Sequence, residues 1–274
     1  MTRFTERCLR FSEKKDSILC VGLDPALPRQ RSRNTIPRKY VKEADENRAR
    51  LEFCLDIINQ TKDLCCAYKP NQQYLWGFTK EHHRKLTTAI HKADAMSILD
   101  YKLNDIGATT ESALFHIHEC GYDALTFNPL LGNLQTIVNV AHKYKPQIGI
   151  IALTLTSNPE AIRYQKEATI AAKPMYLAIA EGVKKYGADG CVVGATGHVT
   201  EADITTARAK AGEDKLFLIP GIGAQEGDAE KIIKTAGKNI LINVGRAIIY
   251  SENPAERADQ YNETFKKIRK QVGY

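Results

Sequence analysis

Short runs rich in Val, Ile and Leu alternate along the chain with longer stretches in which apolar residues recur every three or four positions. The first pattern is that of strands buried on both faces, and the second is that of amphipathic helices. Eight short runs stand out: Ile18 to Leu23, Leu64 to Lys69, Ala95 to Lys102, Asp123 to Phe127, Ile148 to Leu153, Gly190 to Val193, Leu216 to Ile219, and Ile240 to Val244. Helical spacing shows between them, as in Leu51, Leu55 and Ile58, or Ile179, Val183 and Tyr186. Eight strands with intervening helices in 274 residues predict an α/β fold, a single (β/α)8 TIM barrel, with residues 1–274 as one domain. A doubly wound open sheet shares the local pattern, and the strand count favours the barrel.

Two connections are long: Pro25 to Glu46, and Thr154 to Lys166 after the fifth run. Loops of that length in a barrel are often functional. The first carries Arg29, Arg31, Arg33, Arg38 and Lys39. Apart from Tyr40 it has no interleaved aromatic platform, so it reads as a solvated charge run and not as a nucleic-acid contact.

Composition narrows the picture a little. Apolar residues make up 43% and charged residues 26%, an ordinary globular balance. The formal charge of +7 suits an anionic ligand as well as plain solubility, and selects neither. No run of 18 apolar residues occurs, and the N-terminus lacks the apolar centre of a secretion signal, so a cytoplasmic protein without a membrane partner is expected. The seven cysteines form no Cys-x-x-Cys pair, and Cys20, Cys65, Cys66 and Cys191 sit in apolar runs, as small reduced core residues do.

The polar residues that interrupt this pattern fall at the C-terminal ends of predicted strands: Asp24, Lys69, Asp100 with Lys102, and Arg246 just past the eighth. In a β/α barrel those ends surround one cleft. The densest segment is Asp100-Tyr101-Lys102-Leu103-Asn104-Asp105. Residues two apart on a strand point the same way, so Asp100 and Lys102 project together, and Lys69 on the neighbouring strand extends an alternating series of charges. Spacing alone leaves open a structural ion-pair network at the barrel mouth. A second signal is Pro220-Gly221-Ile222-Gly223-Ala224-Gln225 after the seventh run, with Asn243-Val244-Gly245-Arg246 at the eighth. The loops after strands seven and eight are this fold's recurrent phosphate site, and the glycine spacing is not the dinucleotide fingerprint.

With Val21-Gly22-Leu23-Asp24-Pro25, Lys69-Pro70-Asn71, Thr156-Ser157-Asn158-Pro159, Pro220 to Gln225 and Gly245-Arg246 in this order, the chain resembles the orotidine 5'-monophosphate decarboxylase family over nearly its whole length. The resemblance implies cofactor-independent decarboxylation of orotidine 5'-monophosphate to uridine 5'-monophosphate (UMP), with no metal. It implies that Lys102 protonates C6 of the pyrimidine and that Asp100 lies beside the departing carboxylate. Lys69 would link Asp100 to the ribose region, Asp24 would bind a ribose hydroxyl, and Ser157 would read the pyrimidine edge. Gln225, Gly245 and Arg246 would hold the phosphate. Asp105 and Thr109 would reach the neighbouring site of a homodimer. Two positions depart from the family pattern: Leu155 replaces an expected basic residue, and Glu226 an expected glycine.

Two alternatives stand beside this reading. A sugar-phosphate enzyme of the same barrel group would use Mg²⁺ and an enediolate, and would need further oxygen ligands near the barrel mouth, where no clear Glu-x-Asp occurs. A binding protein that kept the barrel but lost its chemistry would not need the Asp-Lys-Asp set. The histidine pairs His82-His83 and His116-x-His118 lie in helical stretches at spacings that do not share a metal, and read as surface or packing residues.

Overall fold

The computed structural model describes residues 3–41, 45–221 and 226–274. The eight apolar runs are eight parallel strands closed into a barrel: β1 (Leu19–Leu23), β2 (Ala67–Pro70), β3 (Met96–Leu103), β4 (Ala124–Phe127), β5 (Gly149–Leu155), β6 (Gly190–Val193), β7 (Leu216–Pro220) and β8 (Ile240–Val244). Helices between them form the outer layer: α2 (Glu46–Thr61), α3 (Lys80–Lys92), α4 (Gly107–Glu119), α5 (Leu134–Ala141), α6 (Met175–Tyr186), α7 (Glu201–Ala211) and α8 (Glu226–Ala236), with the short α9 (Arg246–Ile249) and long α10 (Pro254–Gln271) closing the ring. This is the (β/α)8 TIM barrel.

Alternation along the strands divides the apolar residues between two cores. Leu19, Val21, Tyr68, Leu99, Leu125, Ile150, Phe217 and Ile242 pack outward under the helices. Cys20, Ala67, Met96, Ile98, Ala124, Ile151, Val192, Leu218 and Leu241 fill the barrel interior. An N-terminal helix, α1 (Phe4–Lys15), closes the end of the barrel opposite the chemistry. Phe4 is fully buried in the interior core, and it takes the space that a side chain on Gly149 would need, since a Cβ there would lie 2.4 Å from the ring. Arg7 donates to Asp123 Oδ1 at 3.0 Å and to the Gln147 carbonyl at 2.8 Å. Asp123 also accepts from the Ser97 N–H and from His91 Nε2, and Asp189 repeats the device with the Ile150 N–H and His142.

All seven cysteines are free thiols and six are buried, which agrees with their reading as core residues. His83 is buried against Tyr122, with Nδ1 2.8 Å from the hydroxyl, and burial lowers its pKa to about 4. His82 caps α3 through Thr79. In the first long loop Arg29 pairs with Glu46 at 2.8 Å and Lys39 lies over the Tyr40 ring. Among the described residues no helix is long and apolar enough to cross a membrane.

The second long loop holds more structure than its sequence suggests. β5 continues to Leu155, a single π-helical turn follows at Ile162–Glu167, and a two-residue hairpin pairs Thr169–Ile170 with Lys173–Pro174. Leu155 is fully buried and pairs with Val193 across a register shift. An apolar residue at this position completes the core, where a charged head group would be stranded.

Candidate active site

The alternation that places Cys20, Ala67, Ile98, Ala124 and Leu241 inside the barrel also places Gly22, Lys69, Asp100, Thr126 and Asn243 inside, one layer nearer the C-terminal mouth. On β2, β3, β4 and β8 the interior turns from apolar to polar within that single step, while Leu153 keeps it apolar on β5. β1 and β2 are in register with Gly22 opposite Lys69, and Asn71, just past β2, bridges to Asp100 on β3.

Lys69 and Asp100 are 6% and 7% exposed, and they pair directly. Asp100 Oδ2 accepts from Lys69 Nζ. Its Oδ1 accepts from Lys102 Nζ at 2.7 Å and from the Thr126 hydroxyl at 3.0 Å. Burial alone would raise the Asp100 pKa, but Lys69 and Lys102 hold the carboxyl well below the usual range. Burial would lower the Lys69 pKa, but the Asp100 and Asp24 carboxylates hold it above the ordinary lysine value. The Lys102 side chain is 51% exposed, so one end of the series is buried and the other is open to the cleft.

Lys102 reaches Asp100 from a backbone that has left regular strand geometry. Its φ is +53°, in the left-handed region that non-glycine residues rarely occupy, and the β3–β4 ladder is irregular between Leu99 and Leu103. The Lys102 N–H donates to Thr126 Oγ1 at 2.9 Å. One threonine hydroxyl therefore holds both the backbone that presents the ammonium and the carboxylate that receives it. Sequence reasoning missed Thr126 because a threonine inside Ala-Leu-Thr-Phe reads as an ordinary strand former. Its inward parity on the strand beside β3 was the available signal.

Asp24 lies just past β1, with Oδ1 buried and without a donor among the described residues. Its carbonyl accepts from the Tyr250 hydroxyl at 2.6 Å, and that hydroxyl accepts from the Ala26 N–H at 2.8 Å, so the first loop is tied to the end of α9. Asn243 Oδ1 is likewise buried without a donor. Arg31, half-buried, places its guanidinium 5.1 Å from the Tyr74 ring centre. Tyr74 has a raised pKa, from burial and the Asp24 carboxylate against the opposing Arg31 and Arg246 charges, so these four groups share the mouth beside β1 and β2. Gly245 packs against Gly22, and Arg246 is exposed at the start of α9.

Not every expected residue joins this array. Asp105 is half-buried in the loop before α4; its Oδ1 accepts from the Ile106 N–H at 2.8 Å and its carbonyl accepts from Asn133. Thr109 is exposed on the first turn of α4. Among the described residues neither bonds to Lys69, Asp100 or Lys102, and Ile106 between them and Leu130 and Leu131 after β4 are 59%, 61% and 52% exposed. Ser157 is half-buried on the loop after β5, against Gly194 and Gly197. Gln225 lies outside the described residues, and for Glu226 only the backbone is described.

Comparison with known proteins completes the description. The sequence profile of the orotidine 5'-phosphate decarboxylase / HUMPS family matches residues 17–261. An orotidine 5'-phosphate decarboxylase from Roseiflexus sp. (strain RS-1) is 34% identical over 278 residues, covering 97% of this chain and 96% of the relative. Another, from Cupriavidus taiwanensis, is 35% identical over 268 residues, covering 93% and 92%. The solved structure of Leishmania donovani OMP decarboxylase superposes with a TM-score of 0.78 at 25% identity, covering 97% of this chain and 98% of that one.

The charge series sets a pH dependence of stability. A depressed carboxylate stabilises the fold above its unfolded pKa, and this is lost as pH falls through the folded value; a raised lysine stabilises below its unfolded pKa, and this is lost as pH rises through the folded value. The Lys69–Asp100 contribution therefore spans the whole interval between the ordinary carboxylate and lysine ranges. Asp100→Asn is expected to drop the Lys69 pKa below its ordinary value and to lower the unfolding free energy by about 3–5 kcal/mol, the usual effect of stranding one partner of a buried pair. Urea denaturation at pH 7 and NMR titration of the lysine ammonium measure both. A Lys69 pKa that stays raised in the variant would mean that Asp24, and not Asp100, holds the charge.

Proposed function

The chain belongs to the orotidine 5'-phosphate decarboxylase / HUMPS family, and from that premise we propose how its residues share the conversion of orotidine 5'-monophosphate to UMP and carbon dioxide, the last step of de novo pyrimidine nucleotide synthesis. The observation that carries the reading is the Lys69–Asp100–Lys102 series. It stands at the mouth of a barrel that matches named decarboxylases over more than nine-tenths of both chains.

Loss of the carboxylate at C6 leaves an electron pair in the plane of the pyrimidine, where the ring cannot delocalise it. A site without a cofactor must stabilise that charge electrostatically, and a fixed ammonium does so. In this reading Lys102 meets the developing charge and then gives its proton to C6. Support comes from the exposure of Lys102 to the cleft and from the double restraint by Asp100 and Thr126. Asp100 orients Lys102 and lies beside the substrate carboxylate, while buried Lys69 keeps Asp100 ionised and faces the ribose. Asp24, with its unpartnered oxygen, accepts a ribose hydroxyl. Gly245, Arg246 and Gln225 take the phosphate, remote from the reacting carbon, where binding energy is useful only if it organises the charges. Ser157 reads the edge of the base.

The active unit in this reading is a homodimer, with residues 1–274 of each copy acting as one catalytic domain in the cytoplasm. Asp105 and Thr109 of one copy complete the other's site. The exposed Ile106, Leu130 and Leu131 beside them support this, since an apolar patch around residues that miss their own site suits an isologous contact.

The first measurement is the fall in ultraviolet absorbance at the orotate band when EDTA-treated protein meets orotidine 5'-monophosphate. Turnover is expected, and Lys102→Ala should reduce it on the order of 10²–10⁴-fold or more while UMP binding survives. Activity only on a sugar phosphate, and only with Mg²⁺, would move the chain to the metal-dependent branch of the barrel group. Arg246→Ala should raise KM for the nucleotide roughly 10–100-fold, the worth of a charged hydrogen bond, and leave turnover of the phosphate-free nucleoside nearly unchanged. Equal losses on both substrates would refute its phosphate role. Mixing Lys102→Ala with Asp105→Ala chains should restore about a quarter of the unaltered activity, because half the dimers then hold one intact site. No recovery on mixing would mean that sites are not shared.

A further inference from the structure

The loop after β5 carries Ser157, and its conformation is held by a closed circuit of contacts that begins and ends on the residue before it. The Thr156 N–H donates to Gln165 Oε1 at 2.7 Å, and His198 Nε2 donates to the Thr156 carbonyl at 3.0 Å. The peptide groups on both sides of Thr156 are thereby taken. Lys166, next to Gln165, donates to the His198 carbonyl at 3.2 Å and to Asp203 Oδ2 at 2.8 Å, which returns the circuit to its start. Asp203 is held in turn by the Thr200 N–H at 2.9 Å and by the Tyr176 hydroxyl. The Thr156 hydroxyl, donating to Asn158 Oδ1 at 2.7 Å, shapes the turn itself.

The backing surface is built to match. A Cβ on Gly194 would lie 3.0 Å from the Ser157 amide nitrogen, and one on Gly197 would lie 2.9 Å from its carbonyl oxygen. Gly197 also has φ +70°, so it is fitted to its place both by conformation and by the close approach of Ser157. Ser157 thus sits on two glycines with the preceding peptides clamped from both sides. None of the clamping side chains reaches the Lys69–Asp100–Lys102 series.

We propose that Gln165 and His198 are positioning residues that preset Ser157 for the pyrimidine edge, so that base recognition is organised before the nucleotide arrives. The proposal rests on the reading of Ser157 as the base contact. A loop ordered in advance spares the nucleotide the entropy of ordering it, and this gain goes to ligands that carry a base. Gln165 acts through its oxygen, as an acceptor, so glutamate can replace it where alanine cannot.

The test compares UMP with ribose 5-phosphate, which lacks the base, by calorimetric titration of the full-length protein. Gln165→Ala is expected to weaken UMP on the order of tenfold, about the worth of one hydrogen bond, and to leave ribose 5-phosphate unchanged. Gln165→Glu should restore most of the affinity, and in a Ser157→Ala background the Gln165→Ala loss should vanish. Equal weakening of both ligands, or an undiminished loss in the Ser157→Ala background, would overturn the proposal in favour of a general structural role. Hydrogen exchange of the Thr156 amide in the ligand-free protein separates the two layers. Exchange that quickens in Gln165→Ala but not in Gln165→Glu supports the clamp, and unchanged exchange refutes it. Ser157→Ala that binds UMP as the unaltered protein does would instead refute the base contact, and the positioning proposal with it.

Discussion

A lysine buried at the mouth of a barrel must bring its counter-charge with it, and most of the site's geometry follows from that requirement. Lys69 has almost no solvent to stabilise its ammonium, and an unpaired charge there would be strongly unfavourable. Asp100 supplies the pair, but a carboxylate equally buried needs its second oxygen occupied too. Lys102 and Thr126 occupy it. Lys102 must leave the regular ladder to do so, and the left-handed backbone at this residue carries strain of about 1–3 kcal/mol, the usual size for such a conformation. The Thr126 hydroxyl holds the strained residue by its N–H. The ammonium in the cleft is thus placed by a chain of necessity that starts one strand away.

The barrel separates this demand from the demand for stability. At the far end Phe4 fills the interior, Arg7 binds Asp123, and Asp123 and Asp189 each secure a neighbouring strand through a backbone N–H and a histidine. Asp123 and Asp189 have donors within the chain. At the mouth, Asp24 Oδ1 and Asn243 Oδ1 have none among the described residues. Polar groups at one end secure strands, and those at the other line the mouth where the proposed ligand would sit.

Much of this was legible in the chain. All eight strands were, because a barrel strand is apolar on both faces and its run of Val, Ile and Leu survives any choice of register. Their limits were less so: Leu64 to Cys66 read as strand, but β2 begins at Ala67, although buried Cys66 already bonds to Leu19 and Met96 on both sides. The spacing Asp100-x-Lys102 and the strand-end position of Lys69 were sufficient to assemble the charged centre. Where the Asp105 side chain points was not legible from alternation, because three residues past Lys102 the chain has left the strand. The π-helical turn and hairpin after β5 were illegible for a related reason. They are exposed and are held by side-chain contacts from distant segments, and such contacts leave no period.

The charged centre and the Ser157 loop show two ways of fixing a residue, and the difference bears on specificity. Lys69 and Asp100 are fixed by burial, in which each ion is held by the cost of abandoning the other, so a change at either disturbs the fold. The loop is fixed by hydrogen bonds at Thr156, whose N–H donates to half-buried Gln165 and whose carbonyl accepts from half-buried His198, with glycines behind Ser157. Each of those bonds has a modest net worth, near 1 kcal/mol, so the loop's conformation can be altered without unfolding the barrel. In the proposed reading, such an arrangement places chemistry where the fold enforces it and recognition where the sequence can adjust it. Leu155, buried at the junction of the two, marks where the rigid strand ends and the adjustable loop begins.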